Sequence, residues 1–248
     1  MNSYRPRHLS PQPPRRTRRG KRARVSRSQI WVSRIAEYAA IVVVALIIAS
    51  VVRAFLMQAF WIPSGSMKET LSIGDNVLVS RLTPTVKEVH RGDVVVFQDE
   101  LGWLSPPTEA AGWKKTAENT LIFVGLRPAH GDQHLIKRVI GLGGDHVQCC
   151  DDQGLLQING VSVDEPYLAP GSNNALQPFD VVVPEGKLWV MGDNRNNSAD
   201  SRAHMGAPSE AFVDENSLVG RVIAVSWPIQ HWSNPNHNEV FAAVPNAY

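Results

Sequence analysis

The stretch Tyr38–Val52, YAAIVVVALIIASVV, contains no charged residue and consists mostly of branched aliphatic side chains. These 15 residues are fewer than the roughly 20 that a membrane-spanning helix requires. The apolar residues at 30–32 and 54–57 supply the missing length, and the long side chain of Arg53 can extend to the membrane interface. The sequence therefore predicts one transmembrane helix over residues 31–56.

Charge is distributed unequally along the chain. Residues 1–34 contain eleven of the 25 Lys and Arg residues and no acid, and the 14 basic and 23 acidic residues after them leave a net charge of −9. A cationic segment next to a spanning helix marks its cytoplasmic side. We therefore expect residues 1–30 to be a disordered basic tail in the cytoplasm, near anionic lipid rather than nucleic acid. Residues 57–248 are then extracytoplasmic.

A basic segment followed by an apolar one also describes a cleaved secretory signal peptide. Cleavage needs small residues just beyond the apolar core, whereas that zone holds Val51, Val52, Arg53 and Phe55. The prediction is therefore an uncleaved, single-pass anchor in the plasma membrane.

Short β-branched and aromatic runs follow the anchor, bounded by Gly, Pro, Asn and Asp. They lie at 76–79, 94–97, 181–183, 188–191 and 221–225. Runs of this kind between turn-forming residues are typical of strands. We therefore expect a mainly β domain over residues 57–248. Residues 98–133 lack a clear period and are expected to form a long excursion or insertion.

The two cysteines, Cys149 and Cys150, are adjacent. A disulfide between neighbouring residues is strained and rare. Reduced thiols or a pair spanning a turn are the more ordinary alternatives, and the sequence leaves the choice open. No spacing of Cys and His resembles a zinc site, so we expect neither a metal nor another cofactor.

Polar and small residues concentrate in three segments, IPSGSMKETL at 62–71, LIKRVIGLGGDHV at 135–147 and GDNRNNSADSR at 192–202. Each alone is an ordinary turn, strand start or surface loop. Together they offer a serine nucleophile and a lysine base, a known alternative to the Ser-His-Asp triad. Lys137 lies between Leu135-Ile136 and Val139-Ile140, where burial would lower its pKa toward that of a usable base.

The three segments together resemble the signature motifs of bacterial type I signal peptidase. FWIPSGSM with Thr70-Leu71 is similar to the nucleophile motif of that family, IKRVIG followed by Gly144-Asp145 to its lysine motif, and GDNRNNSADSR to its C-terminal motif. The similarity extends from about Arg34 to Pro228. It implies an antiparallel β-sheet catalytic domain of the LexA-like, signal peptidase fold behind one membrane anchor.

The resemblance implies a role for individual residues. Ser66 resembles the nucleophile and Lys137 the general base. The oxyanion hole would consist of the Ser66 backbone N–H and the Ser64 hydroxyl, and Ser198 would orient the base by a hydrogen bond. A supporting ion-pair network would hold the third segment against the second, and its expected members are Arg138, Asp193, Asp200 and Arg202. Lys68-Glu69, Gly143 and Asn196 depart from the usual family residues, which affects the rigidity of the loops rather than the dyad.

The family also implies a substrate and partners. These are preproteins that carry a signal peptide with a small-x-small cleavage site, the lipid bilayer and the secretion translocon, with no nucleic acid. One alternative is a self-cleaving Ser/Lys domain of the LexA type, although the anchor and the lack of a DNA-binding helix pair disfavour it. The other is a catalytically inactive, membrane-tethered binding module, for which decay of the dyad would be expected.

Overall fold

The computed structural model describes residues 27–82, 88–104, 134–172, 177–206 and 211–247. Nearly all of the predicted basic tail at 1–30 and most of the predicted excursion at 98–133 lie outside these ranges.

Helix α1 covers Arg27–Phe55, 29 residues, and so begins four residues before the predicted start at 31. Its window Arg34–Val52 has a mean hydropathy of 2.6, and none of that window is buried within the protein. At 1.5 Å per residue the helix is about 44 Å long, more than the ~30 Å hydrocarbon core of a bilayer. By length and composition it is the one helix among the described residues that could cross a membrane.

The rest of the described chain is built on eleven short strands. They are β1 Met57–Trp61, β2 Asn76–Ser80, β3 Val94–Gln98, β4 His134–Gly141, β5 His146–Cys149, β6 Leu156–Ile158, β7 Val161–Val163, β8 Phe179–Val182, β9 Lys187–Met191, β10 Val213–Asp214 and β11 Leu218–Trp227. Seven of them form a sheet in the order β1-β2-β11-β3-β4-β9-β10, and the other four form a sheet in the order β7-β6-β5-β8. Every described strand pair is antiparallel.

The predicted mainly β, antiparallel architecture is therefore confirmed. Each of the five runs read as strands from the sequence falls on β2, β3, β8, β9 or β11. The predicted run 181–183 overlaps β8 only in part, because β8 starts two residues earlier, at Phe179, and ends one residue earlier, at Val182. Strand β4 was not among those runs; it lies inside the large sheet and pairs with β3 on one side and β9 on the other.

Apolar side chains form the cores beside the two sheets. One cluster of fully buried residues, which includes Phe60, Met67, Leu71 and Val79, lies under the loop that connects β1 to β2. A second cluster joins Ile140 and Trp189 of the large sheet to residues of the small sheet such as Val147 and Leu156. The β1–β2 loop contains Ser64 and Ser66, and it packs on the first cluster.

Cys149 and Cys150 are joined by a disulfide at the end of β5. The structure thus contains the bond between neighbouring residues that the sequence treated as the rarer alternative. Both residues pack against the cluster that joins the two sheets.

Candidate active site

The β1–β2 loop is closed at its base by backbone hydrogen bonds. The Ile62 N–H donates to the Asp75 carbonyl and the Gly74 N–H donates to the Ile62 carbonyl, both over 2.9 Å. Within the loop, Met67 and Leu71 are buried in the core below it. The anchored loop leaves Ser66 only 9% exposed.

Lys137 comes from the middle of β4 and meets Ser66 across 71 residues of sequence. Its Nζ donates a hydrogen bond to Ser66 Oγ over 3.0 Å. The lysine is 3% exposed. Burial lowers the pKa of Lys137 from its ordinary 10.5 to about 8, although the negative charges of Asp200 and Asp193 act in the opposite direction. A large share of this amine is therefore neutral at mildly alkaline pH, as a general base requires.

Ser64 lies next to this pair. Its Oγ is 3.4 Å from Ser66 Oγ, and the residue is exposed. The side-chain hydroxyl of Ser64 and the backbone N–H of Ser66 thus belong to the same short turn.

The third polar segment is bonded directly to the nucleophile loop through Asn194. The Asn194 backbone N–H donates to the Ser66 carbonyl, and its side-chain Nδ2 donates to the Gly65 carbonyl, both over 3.0 Å. The sequence did not single out Asn194, because an asparagine in a polar loop can bind many groups and its sequence position does not show which. The structure identifies it as a residue that holds Ser66 in place.

Gly192 permits the close approach of these segments. A Cβ atom on Gly192 would lie 2.3 Å from Ser198 Oγ and 2.6 Å from the Ser66 carbonyl oxygen, which is much closer than atoms can pack. Any other residue at 192 would therefore push the third segment away from Ser66.

Ser198 departs from the sequence expectation. Within the described ranges its buried Oγ does not form the expected hydrogen bond to Lys137, and it interacts instead with the Asp200 carboxyl group, whose pKa it helps to lower. Ser198 follows the short 3-10 helix Arg195–Asn197 in an extended conformation, and its Oγ packs against Gly192. The hydroxyl is inside the site, but it does not orient the amine by a direct hydrogen bond.

The four residues expected to form the supporting network form two separate ion pairs. Arg138 forms a bidentate pair with Asp193, over 2.8 and 2.6 Å, and not with Asp200. In the sheet Arg138 pairs with Met191, and Asp193 follows two residues later, so register places the two charges together. This pair connects the second and third segments.

Asp200 and Arg202 form a second bidentate pair, over 2.9 and 2.8 Å, that is internal to the third segment. Asp200 also accepts a hydrogen bond from the Gly192 N–H over 3.0 Å. Burial raises the pKa of Asp200, but the Arg202 guanidinium outweighs it and the net shift is downward. The carboxylate thus stays ionised and closes the 192–202 loop on itself.

A further buried pair was not anticipated. Arg195 and Glu165 are joined by two hydrogen bonds, one of 2.9 and one of 2.5 Å, and both side chains are 0% exposed. The Tyr167 hydroxyl donates to the same carboxylate, and the Arg138 guanidinium lies 3.9 Å over the Tyr167 ring. Glu165 and Tyr167 lie in a loop without a recognisable motif, which is why the sequence did not reveal them.

The departures from the family motifs lie in loops. Glu69 adopts a left-handed conformation with φ of 81°, which non-glycine residues avoid. Asn196 is exposed and donates from Nδ2 to the Gly171 carbonyl over 2.8 Å. Gly143 packs closely against Glu185.

A cavity of about 90 Å³ opens beside Ser66 and Lys137. Its wall is mainly apolar and includes Phe60, Ile62, Met67, Leu104, Leu135 and Ile136. Pockets for ordinary small-molecule ligands start at roughly 300 Å³. This cavity can therefore accept only a small group. Among the described residues, no cluster of His, Cys, Asp or Glu could hold a metal ion.

A serine hydroxyl hydrogen-bonded to a buried lysine, beside a small apolar cavity on a β domain, is the arrangement of a serine peptidase with a lysine base. The family model described as "Signal peptidase, peptidase S26" matches residues 35–227. The chain therefore belongs to the signal peptidase family, peptidase S26, and is a serine peptidase.

Curated relatives agree with this assignment. "Probable signal peptidase I" of Mycobacterium leprae is 34% identical over 83% of this chain and 79% of its own length. "Signal peptidase I S" of Bacillus subtilis is 35% identical over 69% of this chain and 80% of its own length. A crystal structure of a signal peptidase I from Enterococcus faecalis matches 55% of this chain and 97% of its own, with 28% identity and a TM-score of 0.35.

Proposed function

We propose that this chain is a membrane-anchored serine endopeptidase that removes N-terminal signal peptides from exported preproteins, with Ser66 as nucleophile and Lys137 as general base. The observation that carries the proposal is the 3.0 Å contact between Lys137 Nζ and Ser66 Oγ, formed by a lysine that is 3% exposed. The substrate class is supported by the relatives, which are named signal peptidase I.

The first half of the reaction is acyl transfer. In its neutral form the Lys137 amine accepts the hydroxyl proton of Ser66 across the observed 3.0 Å, and Ser66 Oγ attacks the carbonyl carbon of the scissile bond. The Ser66 backbone N–H and the Ser64 hydroxyl donate hydrogen bonds to the oxyanion that forms. The Lys137 ammonium then protonates the leaving amine, and the peptide bond breaks to leave an ester on Ser66.

The second half is hydrolysis of that ester. A water molecule enters on the side vacated by the amine and gives a proton to neutral Lys137 as its oxygen attacks the ester carbonyl. The ammonium returns the proton to Ser66 Oγ when the tetrahedral intermediate collapses. Asn194, which binds the Ser66 and Gly65 carbonyls, keeps the nucleophile in place through both steps.

Cavity size supports the small-x-small cleavage preference. A side chain that enters the apolar cavity of about 90 Å³ beside Ser66 must be small, and alanine meets that requirement. A larger aliphatic side chain would have to displace packed atoms, which costs free energy in a dense wall.

Helix α1 is proposed to anchor the enzyme, since its apolar window is long enough to span a bilayer. The basic residues at 1–34 favour a cytoplasmic N-terminus and an extracytoplasmic catalytic domain. Protease protection tests this orientation: in sealed right-side-out vesicles, added protease should degrade residues after 57 and spare the tail before α1. Degradation of the tail alone would reverse the proposed orientation.

The deciding experiment is cleavage of a synthetic preprotein with an Ala-x-Ala site by the full-length protein in detergent. Wild type should cut after the second Ala, while Ser66→Ala and Lys137→Ala should be inactive. Ser162→Ala and Lys187→Ala are matched controls, because these residues lie outside the cavity and pair with Asp151 and Asp214. Activity of Lys137→Ala comparable to wild type would contradict the assignment of the base.

The same assay separates the alternatives. A self-cleaving domain of the LexA type would release a fragment of its own chain and leave the preprotein intact. A binding module would leave both chains intact.

A further inference from the structure

The segment that follows β3 belongs to none of the three motifs, yet its last described residue reaches the cavity. Leu104 lines the cavity together with Ser66 and Lys137. The other lining residues come from β1, the β1–β2 loop and β4. One part of the cavity wall therefore comes from a segment that lies outside the motifs containing Ser66 and Lys137.

Asp99 fixes the backbone of this segment. One carboxylate oxygen accepts a hydrogen bond from the Trp103 N–H over 2.9 Å, and the other accepts one from the Leu104 N–H over 2.7 Å. Hydrogen bonds to an ionised carboxylate are stronger than those between neutral groups. These bonds hold the turn from Asp99 to Leu104 in one conformation and so fix the position of the Leu104 backbone beside the cavity.

Trp103 holds the same turn against the domain. Its ring stacks on the His204 ring, with centroids 4.3 Å apart and planes inclined by 4°. It also meets Phe97 of β3 edge to face at 5.8 Å. His204 is itself fixed, because its Nδ1 lies 2.8 Å from the Asp200 carbonyl. The Trp103 ring therefore packs between Phe97 of β3 and His204, and it holds the turn that ends at Leu104.

We propose that Leu104 is a specificity-determining residue that limits the size of the substrate side chain accepted beside Ser66, and that Asp99 is the residue that positions it. The inference rests on the proposed function, since it assumes that the cavity binds a substrate side chain. Leu104 takes no part in the chemistry, so its substitution changes the selectivity of the enzyme and leaves the dyad intact.

The test is the ratio of kcat/KM for a preprotein with Ala-x-Ala to kcat/KM for preproteins with Val at either Ala position. One methylene in an apolar pocket changes discrimination by about 10- to 200-fold. Leu104→Ala should therefore lower the Ala-to-Val ratio at one of the two positions by at least about tenfold. The readout is this ratio and not the absolute rate, because Leu104 is part of the cavity wall.

Leu101→Ala is the matched control. Leu101 belongs to the same segment and packs on the core of the large sheet, but it is not part of the cavity wall. Its loss should lower thermal stability without changing the ratio. Leu104→Val is a milder variant with an intermediate effect, and it keeps the test valid if Leu104→Ala does not fold.

Asp99 has a readout of its own. Asp99→Ala removes both acceptors and should shift the ratio in the direction of Leu104→Ala, whereas Asp99→Asn retains one acceptor oxygen and should restore part of the selectivity. An unchanged ratio in folded Leu104 variants, with wild type active, would overturn the inference alone. Failure of wild type to cleave any preprotein would refute the proposed function and this inference with it.

Discussion

The pH dependence of cleavage follows from the burial of Lys137. Burial lowers the pKa of this lysine from 10.5 to about 8. About a tenth of the amine is then neutral at pH 7 and about nine tenths at pH 9, so kcat/KM should rise roughly tenfold over this interval and level off above about pH 9. A lysine with its ordinary pKa would give a rise of roughly a hundredfold over the same interval, with no plateau.

The assay is the initial rate of cleavage at substrate concentrations far below KM, with a preprotein that has no group titrating between pH 7 and 9. Under these conditions the profile reports the ionisation of the free enzyme. Asp200→Asn provides a second test, because the Asp200 charge raises the pKa of Lys137. In a folded variant the midpoint of the profile should move to lower pH.

Two results would refute this reasoning. A rise that continues without a plateau to pH 10 would show that Lys137 is not desolvated as the structure indicates. A flat profile between pH 7 and 9 would show that the base is another group, or that a step other than proton transfer limits the rate.

Three further predictions concern the same site. Lys137→Met should raise the free energy of unfolding at pH 7 by up to about 3 kcal/mol, because a pKa lowered by burial means that the folded state disfavours the ammonium. This gain in stability should shrink as pH rises from 8 to 10.5, because in this range Lys137 is protonated in the unfolded chain but not in the folded protein. A difference in the free energy of unfolding that does not depend on pH, measured by chemical denaturation, would contradict the prediction. Ser64→Ala should lower kcat by about a hundredfold with little change in KM, as expected for loss of one oxyanion donor, and Ser64→Thr should retain activity; a loss below threefold in steady-state kinetics would exclude that role. Asp193→Ala should destabilise the domain by about 3–5 kcal/mol, because it leaves the Arg138 charge buried without its partner. Asp214→Ala is the control, since its pair with Lys187 is 35% exposed on each side and should be worth less than about 1 kcal/mol; similar losses in thermal unfolding would contradict the argument.

Much of the architecture was predictable because it depends on local pattern. Runs such as Val94–Phe97, bounded by Gly-Asp and polar residues, favour strands whatever they pair with. The apolar window of α1 has the length and hydropathy of a membrane span, and both can be read from the sequence. The motif residues Ser66 and Lys137 were identified together because several short patterns occur in the expected order.

The wrong or missing parts depend on side-chain partners. The sequence named Arg138, Asp193, Asp200 and Arg202 as members of one network but did not say which charges pair; the register between β4 and β9 places Asp193 beside Arg138. The expected hydrogen bond from Ser198 to Lys137 is absent, and the Ser198 hydroxyl interacts with the Asp200 carboxyl group instead. Both outcomes turn on distances of a few ångström, and residue identity does not determine such distances.

By itself, then, the sequence determined an apolar helix before a β domain and placed a serine and a lysine in matching motifs. The packed fold brings Lys137 within 3.0 Å of Ser66 and buries it enough to lower its pKa, which no local pattern specifies. It also brings Asn194 against the nucleophile loop and Leu104 into the cavity wall. Strand propensity and hydropathy act over neighbouring residues, whereas desolvation, charge pairing and cavity shape arise only when distant segments pack together.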